Sequence, residues 1–219
     1  MSGPQPYASA LSLKLQDQLS PERLSTYVLE CSGRLDDAID LYRWNTAVTG
    51  AFWEDIGHLE VGVRNAVDRR LSARHSTLGR AGTWVDDPAR ELTDKSRDDI
   101  DTARRRIRQN RKSVTHGQVV SELSFGFWRF MVSRRLQVLW PDLASGFPHA
   151  PNRRRQTVEV PLGRLHDFRN RLAHHQRIWS EPLPGLHTEL VSVAGFISPV
   201  LSGFIVAGSR VPAILSIRP

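Results

Sequence analysis

The sequence predicts an all-α protein, an irregular helical bundle, and three observations carry that reading. Apolar residues recur at three- and four-residue spacing from Ser20 onward, no segment alternates as a half-buried strand would, and no internal repeat is present. Of 219 residues 40% are hydrophobic even before the 15 glycines are counted. That share is ordinary for a globular domain, and the length suffices to bury a core unaided. One domain over 20–219 is expected, preceded by a flexible N-terminal segment over 1–19.

The first helix begins at Ser20-Pro21-Glu22, where a capping hydroxyl precedes a first-turn proline and an acid. Beyond Gly33 two more helices are expected, Leu35 to Trp44 and Phe52 to Leu71, the second striped by Leu59, Val63, Val67 and Leu71. Thr83 to Pro88 reads as a loop, and Ala89 to Lys112 as a polar helix whose second half is strongly basic. Gln118 to Trp140 supplies Val120, Leu123, Phe127, Phe130 and Met131, a stripe heavy enough to be central in a core, and Pro141 to Pro151 ends it. A further helix is expected from Pro161 to about His175, striped by Leu162, Leu165, Phe168 and Leu172, with Pro182 and Pro184 bounding its exit. Leu190 to Ser209 carries no charge and is long enough to span a bilayer. Ser192, Gly195, Ser198, Pro199, Ser202 and Gly203 interrupt it, and neither an aromatic belt nor a basic flank marks its ends. It reads as a buried C-terminal helix at a dimer interface, with membrane association through 190–209 as the lesser alternative.

A single Cys31 excludes an intramolecular disulfide framework. The first twenty residues have neither the basic start nor the apolar run of a secretory signal, so a cytoplasmic protein is expected. The net charge is +7, and 27 of the 30 basic residues are Arg. A planar guanidinium binds phosphate bidentately and stacks on bases, which suits a nucleic-acid partner; a GC-rich genome produces the same bias with no function attached. No metal motif, phosphate-cradling glycine loop or serine nucleophile elbow occurs, so neither metal nor cofactor is expected.

The most informative stretch is Leu165-His166-Asp167-Phe168-Arg169-Asn170-Arg171-Leu172-Ala173-His174-His175-Gln176. Arg169 falls four after Leu165 and three before Leu172, on the apolar stripe of its own helix. A cation there is costly unless it is paired, wetted by a cleft or presented across a subunit boundary. The bland reading is a packed stem whose head snorkels or meets a carboxylate such as Asp167 or Glu60. His174 and His175 fall at the helix end, where the macrodipole favours an imidazolium. On a regular helix Arg169 and His174 are about 140° apart, whereas Asn170 and His174 share a face. Either the helix unwinds before His174, or two copies of it combine their Arg and His across a two-fold axis.

The string Arg169-Asn170-Arg171-Leu172-Ala173-His174 resembles the Arg-Asn-x-x-x-His signature of the HEPN superfamily, and the wider chain resembles the Abi-like proteins of bacterial abortive infection within it. Leu59-Glu60-Val61-Gly62-Val63-Arg64-Asn65, Ser124-Phe125-Gly126-Phe127-Trp128, the doubled His174-His175 and the apolar C-terminal helix support the resemblance, which covers roughly Ser20 to the end. It implies a small dimeric helical bundle with a metal-independent endoribonuclease site. It further implies Arg169 as phosphate clamp and transition-state charge stabiliser, His174 as general acid or base, and Asn170 orienting the imidazole or the phosphate. His175 ranks second to His174. The chemistry is sound on elementary grounds: a 2′-hydroxyl needs a base near neutral pH, and an imidazole with a pKa of about 6.5 supplies one. A guanidinium neutralises charge growing on the phosphoryl oxygens. RNA, a second copy and an antitoxin or regulatory protein are the partners implied. The alternative within the same resemblance is a non-catalytic module that binds RNA, nucleotide or a partner protein.

Outside that stretch, Glu60 and Arg64 are four apart and able to pair as a structural unit, or to reach Arg169 and fix it. Arg104, Arg105, Arg106, Arg108, Arg111 and Lys112 follow an acidic start at Asp98, Asp99 and Asp101. Acid early and base late suits the macrodipole of any solvated helix; as an RNA surface the run would supply phosphate contacts without reading sequence, joined by Arg153-Arg154-Arg155. Trp128, Trp140 and Trp179 could stack bases but suit a core better.

Overall fold

A computed structural model of the chain describes residues 8–219, and every regular element among them is helical. The order is α1 (Ala10–Leu19), α2 (Pro21–Glu30), α3 (Leu35–Thr77), α4 (Asp94–Gln109), α5 (His116–Glu122), α6 (Phe125–Met131), α7 (Trp140–Leu143), α8 (Arg155–Ala173), α9 (Leu183–Ile197), α10 (Pro199–Gly208) and α11 (Val211–Leu215). The segment expected to be flexible contains α1, capped by Ser9 and tied to α3 by hydrogen bonds from Ser9 and Ser12 to Asp36. Its first seven residues lie outside those described.

The two helices expected over 35–71 are one, the 43-residue α3. The residues between them, Asn45 to Ala51, include Gly50 and two threonines, poor helix formers. Val48 and Ala51 nevertheless continue the buried stripe from Leu41 and Trp44 to Phe52, Ile56 and Leu59, and that burial outweighs the local propensity. Three polar residues interrupt the stripe, and each finds a partner in a different segment. Asn45 accepts from the Ile178 backbone N–H at 2.9 Å, Asp55 from Ser209 Oγ at 2.6 Å, and His75 Nε2 meets the Ala81 carbonyl at 3.1 Å. Gly79, in the left-handed region at φ 63°, closes the C-terminus.

The single helix expected over 118–140 is broken into α5, α6, a 3₁₀ stretch over Arg134–Leu139 and α7. Leu123 and Ser124 leave helical geometry at ψ 134° and 163°. The break lets Phe125, Phe127, Trp128 and Met131 all be buried, which is more than one face of a continuous amphipathic helix can do. Likewise α8 starts at Arg155 and holds Pro161 inside it, not at its first turn. Val158 is fully buried one turn before Leu162, so the apolar stripe extends upstream of the proline, and Arg155 pairs with Glu159 beside it. The basic helix begins at Asp94, after a loop whose Glu91 and Leu92 N–H groups donate to Asp87.

The uncharged C-terminal stretch is not one buried helix. Ser198, extended at φ −162°, separates α9 from α10 and caps the latter, whose Val200 and Phe204 are 81% and 60% exposed. No helix among the described residues is long and apolar enough to cross a membrane.

At its far end α3 is tied down by charge. Arg74 donates to Glu91 at 2.6 Å and to Asp142 at 2.7 Å, and Arg80 donates to the same Glu91 at 2.5 Å. Those guanidinium bonds pull the Glu91 carboxyl from its usual 4.5 down to about 2. The folded value is depressed, so the stabilisation is complete above pH 4.5 and is lost as pH falls toward 2. Glu91→Gln is expected to lower unfolding stability at pH 7 by about 2 kcal/mol. Denaturant titrations of both proteins at pH 7 and pH 2.5 should show the gap closing in acid.

Candidate functional site

The site is built where α8 crosses α3. Phe168 and Leu165 are buried against the α3 stripe, Phe168 edge-on to Phe52 with centroids 4.9 Å apart. Arg169, next in sequence to Phe168, therefore emerges at the border of the core, half-buried. Its guanidinium lies 4.8 Å from the ring centroid of Trp53, which is 44% exposed. Trp53, Gly57, Glu60 and Arg64 follow one another at helical spacing along α3 and line one face beside the buried stripe.

Glu60 lies among several of these groups. Burial pushes its carboxyl above the usual carboxylate range, opposed by the Arg169 charge first, then by the Phe125 backbone N–H, Arg64 and His166. The expected Glu60–Arg64 pair is not a direct one: Arg64 Nε donates to Asn65 Oδ1 at 3.3 Å and acts on Glu60 through its charge. His166, three residues before Arg169, completes the group. Its Nε2 is 3.5 Å from Asn170 Nδ2, its Nδ1 is 3.3 Å from Asp167 Oδ1, and it packs against Gly126, where an added Cβ would come within 3.1 Å of the ring. Glu60, His166, Arg169 and Asn170 thus converge from α3 and α8.

His174 does not join them. It forms the C-cap of α8, exposed, its backbone N–H donating to the Asn170 carbonyl at 3.1 Å. Five residues separate it from Arg169, about 7.5 Å along the axis and about 140° around it. Of the two outcomes open on spacing, the helix does end at His174, and that alone does not bring the imidazole back to Arg169. His175 follows in left-handed geometry at φ 50°, with its N–H on the Leu172 carbonyl and the Gln176 N–H on that of Arg171. That bond pattern is a Schellman close, in which glycine is usual. The His175 carbonyl accepts from Arg23 at 3.0 Å, which fixes the turn to α2.

His166 and Trp53 are the residues that sequence reasoning left without a site role. His166 at three and four residues from Arg169 and Asn170 is the signal that was available; nothing in the sequence places Trp53. The basic helix divides. Arg104 is committed internally, donating to Asp86 at 2.6 Å, to Asp101 and to the Val85 carbonyl. Arg105 reaches Thr102, and Arg106 lies 3.8 Å from Glu122. Arg108, Arg111 and Lys112 are exposed without a carboxylate partner among the described residues. Trp128 and Trp179 are buried, and Trp140 is half-buried against Phe147. A broad concavity of about 1060 Å³ lies between α8 and α9 against Val160, Arg164, Glu189 and Phe196, away from Arg169, Asn170 and His174. No three His, Cys, Asp or Glu side chains among the described residues are grouped to hold a metal ion.

Comparison with protein families, with curated proteins and with solved structures finds no match to this chain.

The raised Glu60 value has a consequence for stability. The native state takes up that proton more readily than the unfolded chain, so the associated stability is present below pH 4.5 and is lost as pH rises through the folded value. Glu60→Gln is expected to leave the melting temperature at pH 7 unchanged or higher, with the difference vanishing below pH 4. A clear loss of stability at pH 7 would mean that Arg169 depends on this carboxylate for its place.

Proposed function

We propose that the chain is a metal-independent endoribonuclease of abortive-infection or toxin type, a HEPN-like bundle working as a homodimer on RNA. The observation that carries the reading is the convergence of Arg169, Glu60, His166 and Asn170 on the helix that ends in His174-His175. An Arg at the core border, stacked on an exposed Trp, offers its remaining N–H groups to a phosphate.

The reaction needs three things of such a site. An imidazole takes the proton of the ribose 2′-hydroxyl as that oxygen attacks the adjacent phosphorus. A guanidinium neutralises the charge that grows on the phosphoryl oxygens. A second proton donor protonates the departing 5′-oxygen, leaving a 2′,3′-cyclic phosphate and a free 5′-hydroxyl. In this reading Arg169 is the charge stabiliser, His174 is one of the two proton carriers, and Asn170 orients the imidazole or the phosphate. His166, beside Arg169 in its own protomer, is the nearest candidate for the other carrier, ahead of His175.

A second copy supplies what one chain lacks. Arg169 and His174 face different ways on α8, so a two-fold axis beside the helix is the simple means of bringing an Arg and a His together. Trp53, Val61, Val200 and Phe204 leave exposed apolar surface on α3 and α10, with Phe204 packed at 5.0 Å on His58. Such surface is suited to burial against a partner. The same separation of Arg169 and His174 favours, as the second reading, a non-catalytic module that binds RNA or a partner protein through Arg169.

The test is cleavage of single-stranded RNA by purified protein in EDTA, with mass sedimentation run in parallel. Arg169→Ala and His174→Ala are each expected to reduce the rate by about a hundredfold or more without altering the fold. The rate should also change with pH between about 5 and 8, as a step carried by an imidazole requires. Cleavage that survives both substitutions removes the assigned roles; tight RNA binding with no cleavage at any pH selects the second reading.

A further inference from the structure

Arg129 has no carboxylate partner among the described residues. It lies on α6, half-buried, and its Nε is sealed from solvent with no hydrogen-bond acceptor. Carboxylates of the adjoining turns are engaged elsewhere: Glu159 by Arg155 and the Arg134 N–H, Glu189 by Arg164, and Asp167 by His166. A guanidinium partly withdrawn from water is expected to find an acceptor, and its buried Nε has none among the described residues.

Its position is set by the antiparallel seam between α6 and α8. Gly126 stands opposite His166 and Arg129 stands opposite Gly163, where an added Cβ would be 3.5 Å from Nη2. Gly126 and Arg129 are one turn apart on their helix, as Gly163 and His166 are on theirs, about 4.5 Å of rise in each case. Arg129, set at Gly163, precedes His166 by one turn of α8, and Arg169 follows His166 by another, turned away toward Trp53. The two guanidinium positions are thus about 9 Å apart along α8, a span that two long, flexible side chains can narrow to the separation of neighbouring phosphates.

We infer that Arg129 forms a second phosphate subsite, holding the phosphodiester next to the one at Arg169 on a bound single-stranded nucleic acid. The inference rests on the ribonuclease reading for the identity of the strand, while the unpaired guanidinium stands apart from it. Forked N–H groups suit a phosphodiester's two free oxygens, and the Nη groups, which are not sealed as Nε is, are the ones a bound anion reaches.

The experiment measures binding of a 2′-deoxy-substituted ten-nucleotide strand, which cannot be cleaved through a 2′-hydroxyl, across a salt series. Wild type is compared with Arg129→Met, which keeps an apolar stem of similar length, and with Arg129→Gln as a second replacement should Met impair folding; circular dichroism and melting confirm the folded state. Loss of the subsite is expected to weaken binding roughly tenfold at 0.1 M salt and to reduce the slope of log Kd against log salt by about 0.7. Arg129→Lys should restore most of the slope. A second arm uses a dinucleotide, which has one phosphodiester only. Wild type and Arg129→Met should cleave it equally, while on longer RNA the variant raises KM and leaves kcat in place. Competition by inorganic phosphate separates a free-phosphate site from a strand site: the latter predicts that phosphate displaces the strand only at concentrations that act through ionic strength. Equal salt slopes in wild type and variants, or a dinucleotide rate that falls as far as the long-RNA rate, would overturn the inference. If wild type cleaves nothing, the ribonuclease reading fails and the salt slopes still decide the subsite.

Discussion

The long buried stripe along α3 is the constraint on which the rest of the chain depends. A free helix of this composition would be marginal in water, because its propensity is ordinary and three glycines and three threonines lie within it. It persists because α2, α8, α9 and α11 close over it along its length. The polar positions within the stripe serve the same end. Asn45, Asp55 and His75 each anchor a loop that must return to the spine, at Ile178, Ser209 and Ala81 respectively. A buried polar group costs stability if left alone; Asn45 and Asp55 find partners far along the chain, and His75 finds one in the loop that follows α3.

The site grows from the border of that core. Glu60 follows the fully buried Leu59, and Arg169 follows the buried Phe168, so each charge is held by an anchored neighbour and can neither retreat inward nor swing freely. Rigid anchoring at the edge of a packed core preorganises charged groups better than a loop does. The carboxylate and guanidinium then act on each other in a partly desolvated place, where a charge matters more than it would in bulk water. Gly126 matters for a different reason: its missing side chain is what lets α6 approach the His166 ring.

At its C-terminus α8 ends in a hydrogen-bonded close that turns the chain over α2, with His174 and His175 outside the helix and Arg169 inside it. Within the chain the helix separates the Arg169 guanidinium from two exposed imidazoles by more than a turn. Trp53, Val200 and Phe204 remain uncovered on α3 and α10.

Periodicity in the sequence was enough to establish the all-helical class, the apolar faces of the α3 and α8 segments, and Arg169 as a cation stranded on such a face. It misplaced boundaries wherever a long-range contact outweighed a local signal. Gly50 did not end α3, Pro161 did not start α8, and Ser124 split a stripe that reads as continuous. Site membership divides in the same way. Asn170 and Arg169 were legible from spacing on one helix, but the nearness of Glu60 to Arg169, the stacking on Trp53 and the choice of His166 over His174 as the imidazole beside them were not. Each of those depends on how α3, α6 and α8 cross, and crossing is decided by side-chain packing between segments far apart in the chain, which no local pattern records.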